Sequence, residues 1–173
     1  MNINFNIDND NKFGKLEIYK DNILIKEIID HNDIIIDFYY NRRLNMFATT
    51  SYDGFVCIYI YPNKLISMIK HPKNLYFDKV FLSANPFPTI ITFEENENIF
   101  TTYSLSGMLI KKVKIENLYE DKRNDVEIKP IFNALGGTYK DKIKITVKSM
   151  KKVKNEFYSI PFFDMEYKEI INL

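Results

Sequence analysis

The chain has 173 residues, 24 Lys plus Arg against 23 Asp plus Glu, and 46% hydrophobic side chains. A net charge of +1 gives no overall field to gather nucleic acid or acidic lipid, and one cysteine with two histidines can build neither an internal disulfide nor a Cys/His zinc site. The opening MNINFNIDNDNKF lacks the basic and apolar regions of a secretory signal, and no apolar run approaches the 18 residues of a membrane span.

Short β-type runs follow in chain order. Lys15–Tyr19 alternates polar and apolar residues, Asp21-Asn22 turns the chain, and Ile23–Ile29 returns. Ile34–Tyr40, Leu44–Thr50 and Phe55–Tyr61 come next, the last two joined by the hairpin signal Asp53-Gly54, and Lys64–Ile69 closes the group. Val80–Ser83, Thr89–Phe93, Asn98–Tyr103 and Met108–Val113 repeat the pattern, with Asn85-Pro86-Phe87-Pro88 as a breaker. The charge-dense 114–130 reads as an exposed connection. Lys142–Val147 and Glu156–Ile160 read as strands, and 161–173 as a tail of unassigned structure.

Self-similarity organises these runs. Gly14-x-Leu16-x-Ile18-Tyr19 and Gly54-x-Val56-x-Ile58-Tyr59 lie 40 residues apart; adding 44 to Tyr59 reaches Tyr103, and another 44 reaches Val147. Units of 40 to 45 residues with four short strands are the pattern of propeller blades, whose two apolar faces are buried by stacking. The expectation is an all-β chain, a partial propeller of four-stranded antiparallel blades. The third and fourth strands of one blade fall at 13–29, full blades at 34–69 and 79–113, and an incomplete blade at 131–160. Gly14 and Gly54 are expected to open their strands through positive φ.

Asp53-Gly54-Phe55-Val56-Cys57-Ile58-Tyr59 resembles the closing half of a WD40 repeat, with Tyr59 where that family often has Trp. The resemblance places His31 as the structural histidine, hydrogen-bonded to Asp53 with Thr49 or Ser51 as the intermediate hydroxyl. No other blade has both members; Phe13 stands in the aspartate position of the first. A longer stretch, from Asp37 through Ser83-Ala84-Asn85-Pro86-Phe87-Pro88 to Ile110, is similar to the C-terminal WD40 region of BEACH-domain proteins. Gly136-Gly137 with the strand after it would be a further second-to-third-strand hairpin. This resemblance implies a non-catalytic scaffold in vesicle or membrane trafficking, cytoplasmic and peripheral to endomembranes, that binds protein partners through the propeller rim. A ring closes at six or seven blades, so the chain reads as a fragment whose open faces the rest of the propeller or a second chain would cover.

Other residues carry weaker signals. Cys57 reads as a buried packing thiol, and His71 as a loop residue outside any site. Glu94, Glu95 and Glu97 read as a solvated turn. No catalytic, metal or cofactor residue is expected. From Lys140 to Lys154 seven lysines face Asp141 alone. Lys148, Lys151, Lys152 and Lys154 are the candidate patch for weak contact with an anionic membrane, whereas edge protection is the favoured explanation for lysines on one strand face. The rival functional readings are a propeller-based hydrolase, and a nucleic-acid-associated β protein using segment 140–154; nucleic acid is the disfavoured partner.

Overall fold

A computed structural model describes residues 3–9, 13–116, 118, 125–131, 141–149, 152–161 and 163–172. Among them are fifteen strands and no helix. They are β1 (Ile3–Asp8), β2 (Lys15–Lys20), β3 (Ile23–Ile28), β4 (Ile35–Asn41), β5 (Met46–Ser51), β6 (Phe55–Ile60), β7 (Lys64–Lys70) and β8 (Lys79–Ser83). There follow β9 (Thr89–Glu94), β10 (Ile99–Ser104), β11 (Leu109–Lys114), β12 (Asp125–Ile131), β13 (Lys142–Lys148), β14 (Lys152–Ser159) and β15 (Asp164–Asn172). They form four antiparallel sheets, each with its strands in chain order: β1–β3, β4–β7, β8–β11 and β12–β15.

Local chemistry sets the hairpins. Lys20 pairs with Ile23 across Asp21 and Asn22, whose φ values of 49° and 66° suit a two-residue turn that follows the strand twist. Gly54 adopts φ +83°, as expected, and an added Cβ would lie 2.6 Å from the Leu75 carbonyl oxygen. Gly14 is required for a different reason. Its φ is not positive, but a Cβ there would lie 2.5 Å from Ile35 N, so glycine permits close approach of the first two sheets.

The sheets stack face on face in chain order, as blades of a partial propeller. One buried cluster joins Leu16, Ile18 and Ile28 of the first blade to Phe47, Cys57 and Tyr59 of the second. Another joins Met46, Val56 and Ile58 to Val80, Leu82 and Ile90 of the third. The last joins Phe93 and Phe100 to Ile143, Ile145 and Tyr158 of the fourth. Strand alternation feeds both faces at once. Along β5, Phe47 and Thr49 look to the first blade while Met46 and Ala48 look to the third.

The repeat has a register rule. Tyr19, Tyr59, Tyr103 and Tyr158 each stand one residue before the end of a third strand. Opposite each, the outer strand carries a bulge, with Ile25, Ile66, Ile110 and Glu166 as the extra residues. Tyr59, Tyr103 and Tyr158 pack toward the preceding blade. The first blade has no predecessor among the described residues, and the Tyr19 hydroxyl donates instead to Glu17 at 2.9 Å.

Three expectations need revision. The fourth repeat does not fall on Val147, which lies on β13, the second strand of its blade; the equivalent residue is Tyr158. The wider sequence separations of β12 from β11 and of β13 from β12 displace the register. The last blade runs from Asp125 to Asn172 rather than 131–160: β12 occupies part of the supposed connection, and β15 occupies the supposed tail. The first blade also gains β1, where Ile3, Phe5 and Ile7 alternate with Asn4 and Asn6.

The two end faces of the stack are polar. On the first blade Lys15 Nζ lies 3.0 Å from Asp8, 2.9 Å from Glu17 and 3.1 Å from Glu27, while Asn6 donates to Glu17 at 2.9 Å. On the fourth, Lys142, Lys144 and Lys148 share a face with Thr146, whose hydroxyl donates to Asn155 at 2.8 Å. Asn155 in turn donates to Glu169 at 3.2 Å.

Candidate functional site

The histidine network lies at the junction of the first two blades. His31 is buried in the loop before β4. Its Nδ1 is 3.0 Å from Asp53 Oδ2 and its Nε2 2.7 Å from Thr49 Oγ1. The carboxylate can only accept, so Nδ1 carries the proton and Nε2 accepts from the threonine hydroxyl. Asp53 also accepts from Asn32 N and Phe55 N, both at 2.9 Å, which ties the loop to the β5–β6 turn. Thr49 is thus the intermediate hydroxyl. Ser51 bonds elsewhere, donating to the Asp33 carbonyl at 3.0 Å and accepting from Asp53 N at 3.2 Å. Tyr59 stacks on Phe47, ring centroids 4.7 Å apart, and burial holds its phenol protonated far above the usual range.

A second network repeats the device one blade on, at a histidine whose sequence context suggests only a loop. His71 is buried in the loop before β8, with Nε2 3.0 Å from Glu94 Oε2. Its Nδ1 accepts from Lys73 N at 3.2 Å and Leu75 N at 3.4 Å, so Nε2 is the donor here, the reverse of His31. Glu94 is no solvated turn residue. It is 5% exposed as the last residue of β9, the place Ser51 holds in β5. Spacing was the available signal: His31 precedes its acid by 22 residues and His71 by 23.

The two networks share a rim. His71 N donates to Gly54 O at 2.8 Å, so the loop before β8 rests on the turn that Asp53 organises. Exposed on this rim are Tyr52 and Leu75, with Tyr76 half-buried and its ring edge-on to Tyr52 at 4.8 Å. Large side chains on loops whose backbones are fixed from beneath lose little entropy when a partner covers them.

A buried carboxylate fastens the last two blades. Asp141, fully buried, accepts from Ser83 Oγ and Ala84 N at 2.9 Å, Asn85 N at 3.1 Å and Asn85 Nδ2 at 3.3 Å. It grips the Ser83-Ala84-Asn85 turn, whereas in the sequence it stands out only as the one acid in a lysine run.

The candidate lysine patch is dispersed. Lys148 lies on the end face of β13 within 4.0 Å of Asp125, whereas Lys154 pairs with Val147 on the opposite side and sits 2.6 Å from Glu156. Lys152 shares the Lys154 side of β14, and Lys151, like Lys140 and Gly136-Gly137, lies outside the described residues. Cys57 is fully buried, and burial pushes its thiol up to about 12, so it stays protonated at neutral pH. Among the described residues no three His, Cys, Asp or Glu side chains gather as metal ligands, and no helix is long and apolar enough to cross a membrane. Compared with known proteins, the chain matches no family model and no curated protein.

Proposed function

We propose that the chain is a non-catalytic protein–protein interaction scaffold of WD40 type, the C-terminal part of a BEACH-like protein that works at endomembranes in vesicle or membrane trafficking. The observation that carries the binding role is the rim of Tyr52, Leu75 and Tyr76, held by the His31–Asp53 and His71–Glu94 networks beneath it. Aromatic anchors on a rigid loop pair are the chemistry of interface hot spots. The trafficking assignment rests on the resemblance of Asp37–Ile110 to BEACH-associated repeats. A weak anionic-membrane contact falls to the end face of β13, where Lys142, Lys144 and Lys148 project together.

The test is in-cell crosslinking of the wild-type chain beside a Tyr52→Ala/Leu75→Asp double variant. The expected result is a set of trafficking proteins joined to the wild type and lost from the variant, with thermal stability retained. A partner set indifferent to these substitutions, or salt-dependent binding of single-stranded RNA in place of protein partners, overturns the reading.

A further inference from the structure

We propose that the cleft between the second and third blades binds a small carboxylate with an apolar body, its carboxylate taking the place that Glu156 fills in the fourth blade. This goes beyond the scaffold reading and does not depend on it. The cleft holds about 390 Å³, within the range of small-molecule sites, and none of Tyr52, Leu75 and Tyr76 lines it.

The register sets the four blades side by side. Two residues before each third-strand tyrosine, and so on the same strand face, stand Glu17, Cys57, Thr101 and Glu156. In the first and fourth blades the tyrosine hydroxyl donates to that glutamate, at 2.9 Å from Tyr19 and 2.8 Å from Tyr158. Glu156 also draws in two ammonium groups, Lys154 at 2.6 Å and its cross-strand partner Lys168 at 3.8 Å. With Tyr158 it lines the next cleft, of about 460 Å³ between blades three and four, which therefore has its carboxylate built in. Across from Glu17, Cys57 and Thr101 lie Glu27, Met68 and Lys112. Of the four blades, the third alone sets a lysine opposite a position without a carboxylate.

The donors at that position are unanswered. Thr101 is 2% exposed and lines the cleft. Among the described residues its hydroxyl meets no hydrogen-bond partner; the Tyr103 phenol lies near it but outside hydrogen-bond geometry. A hydroxyl buried in this way carries its full desolvation cost, which an acceptor entering the cleft would offset. Burial, helped by Glu94, holds the Tyr103 phenol protonated above its ordinary range, so it too can donate. The exposed Lys112 has its Nζ 3.7 Å from Glu94 Oε1, too long for a hydrogen bond, while the other Glu94 oxygen is engaged by His71. Lys70 lines the cleft as well, but its amine lies over the Phe55 ring, 6.0 Å from the centroid. Two hydroxyls and the Lys112 ammonium thus present donors to an anion, and Glu156 shows which anion suits the rung. Ile69, Pro72 and Leu109 supply apolar lining, so the ligand carries hydrocarbon beside its charge.

The probe is octanoate, titrated into the 173-residue chain and followed by amide NMR, with octanamide as its uncharged counterpart. Saturable shifts are expected at Ile69, Thr101–Tyr103 and Leu109–Lys112, with a Kd of about 1 mM or tighter. Octanamide should bind about tenfold more weakly. Thr101→Val keeps the shape and removes the hydroxyl. It should weaken octanoate about tenfold without lowering the melting temperature, because the hydroxyl has no bond to lose in the free protein. Lys112→Met should erase the preference for the acid over the amide. The proposal is overturned by absence of saturation, by equal affinity of the wild type for octanoate and octanamide, or by shifts centred on Glu156 and Tyr158 instead. A Thr101→Val chain that binds octanoate as well as the wild type, or melts far below it, overturns it too. Inorganic phosphate binding as tightly as octanoate would overturn the carboxylate class, and a glutamate-bearing peptide that fills the cleft where octanoate does not would replace the small molecule with a protein ligand.

Discussion

His71 and Glu94 form a buried donor–acceptor pair at 3.0 Å whose ring orientation is dictated by two backbone amides on the far nitrogen. In His71→Ala the Glu94 carboxylate would remain buried with Lys112, at 3.7 Å, as its nearest cation, and amides of Lys73 and Leu75 would lose their acceptor. Breaking one side of such a pair costs about 3–5 kcal/mol. Urea unfolding of His71→Ala should show a lower midpoint at unchanged slope. In a double-mutant cycle with Glu94→Gln, the glutamine should cost far less in the absence of the histidine than in its presence. Additive effects would mean the two side chains do not act as a unit.

Asp141 should matter as much despite standing just before the lysine-rich strand β13. Asp141→Ala strips the acceptor from the Ser83 hydroxyl and from the Ala84 and Asn85 amides, a loss of about 3 kcal/mol or more. Asp141→Asn keeps one acceptor oxygen and should fall between. Because the clamp joins only the last two blades, hydrogen exchange in Asp141→Ala should quicken at Lys142–Lys148 well before Phe55–Ile60. Uniform acceleration would show that the four blades open as one unit.

The parts of this fold legible in sequence are those set by local spacing. Asp53-Gly54 and Tyr59 mark turn and third strand because the hairpin fixes their separation, and the same holds for Tyr19 and Tyr103. Tyr158 escapes because β12 is separated by more residues from β11 and from β13 than the earlier repeats allow, which shifts a period counted along the chain. His31 is legible through its turn aspartate. His71 is not, because its acid sits at a strand end, where Glu94 reads as part of a charged turn. Asp141 has no local signal at all: its partners lie 56 to 58 residues away. The β1 strand hides behind its asparagines, which oppose strand propensity while Ile3, Phe5 and Ile7 still face the second blade.

Gly14 and Gly54 should both resist replacement, for reasons that can be told apart. At Gly54 an alanine meets both the left-handed backbone and the Leu75 carbonyl oxygen at 2.6 Å. Asparagine tolerates that backbone but not the contact, so Gly54→Asn and Gly54→Ala should each lower stability by more than about 1 kcal/mol, alanine the more because it alone adds the backbone penalty. Recovery in Gly54→Asn would assign the cost to φ alone. Gly14→Ala has no φ penalty, and its whole effect should come from pushing Ile35 and the second blade away, seen as faster exchange across β2.

Cys57 gives a direct reading of blade separation. Its thiol is fully buried between the first two blades and held protonated by that burial, up to about 12. An aromatic disulfide reagent at neutral pH should react no faster than this junction opens, and at full speed only in denaturant. His31→Ala, which loosens the same junction, should accelerate labelling, whereas Asp141→Ala should not. Rapid labelling of the native wild type would contradict the packing of the first blade on the second.

The polar end of the first blade should impose an acid limb on stability. Hydrogen bonds from Asn6, then Lys15 and Tyr19, lower the Glu17 carboxyl from 4.5 to about 2. A carboxyl held below its unfolded value stabilises the fold above that value. The contribution is therefore complete above pH 4.5 and is lost as pH falls toward 2, when the proton returns and the Lys15 contact becomes neutral on one side. In Glu17→Gln this proton uptake is gone. The variant should be less stable than wild type at neutral pH, and the difference should shrink between pH 4.5 and 2 as the wild type loses what the variant never had. Exchange protection across β2, followed through that window, measures it. Parallel acid limbs in the two proteins would show that the Asn6–Glu17–Lys15 cluster is equally formed in the unfolded chain, or does not hold the blade together.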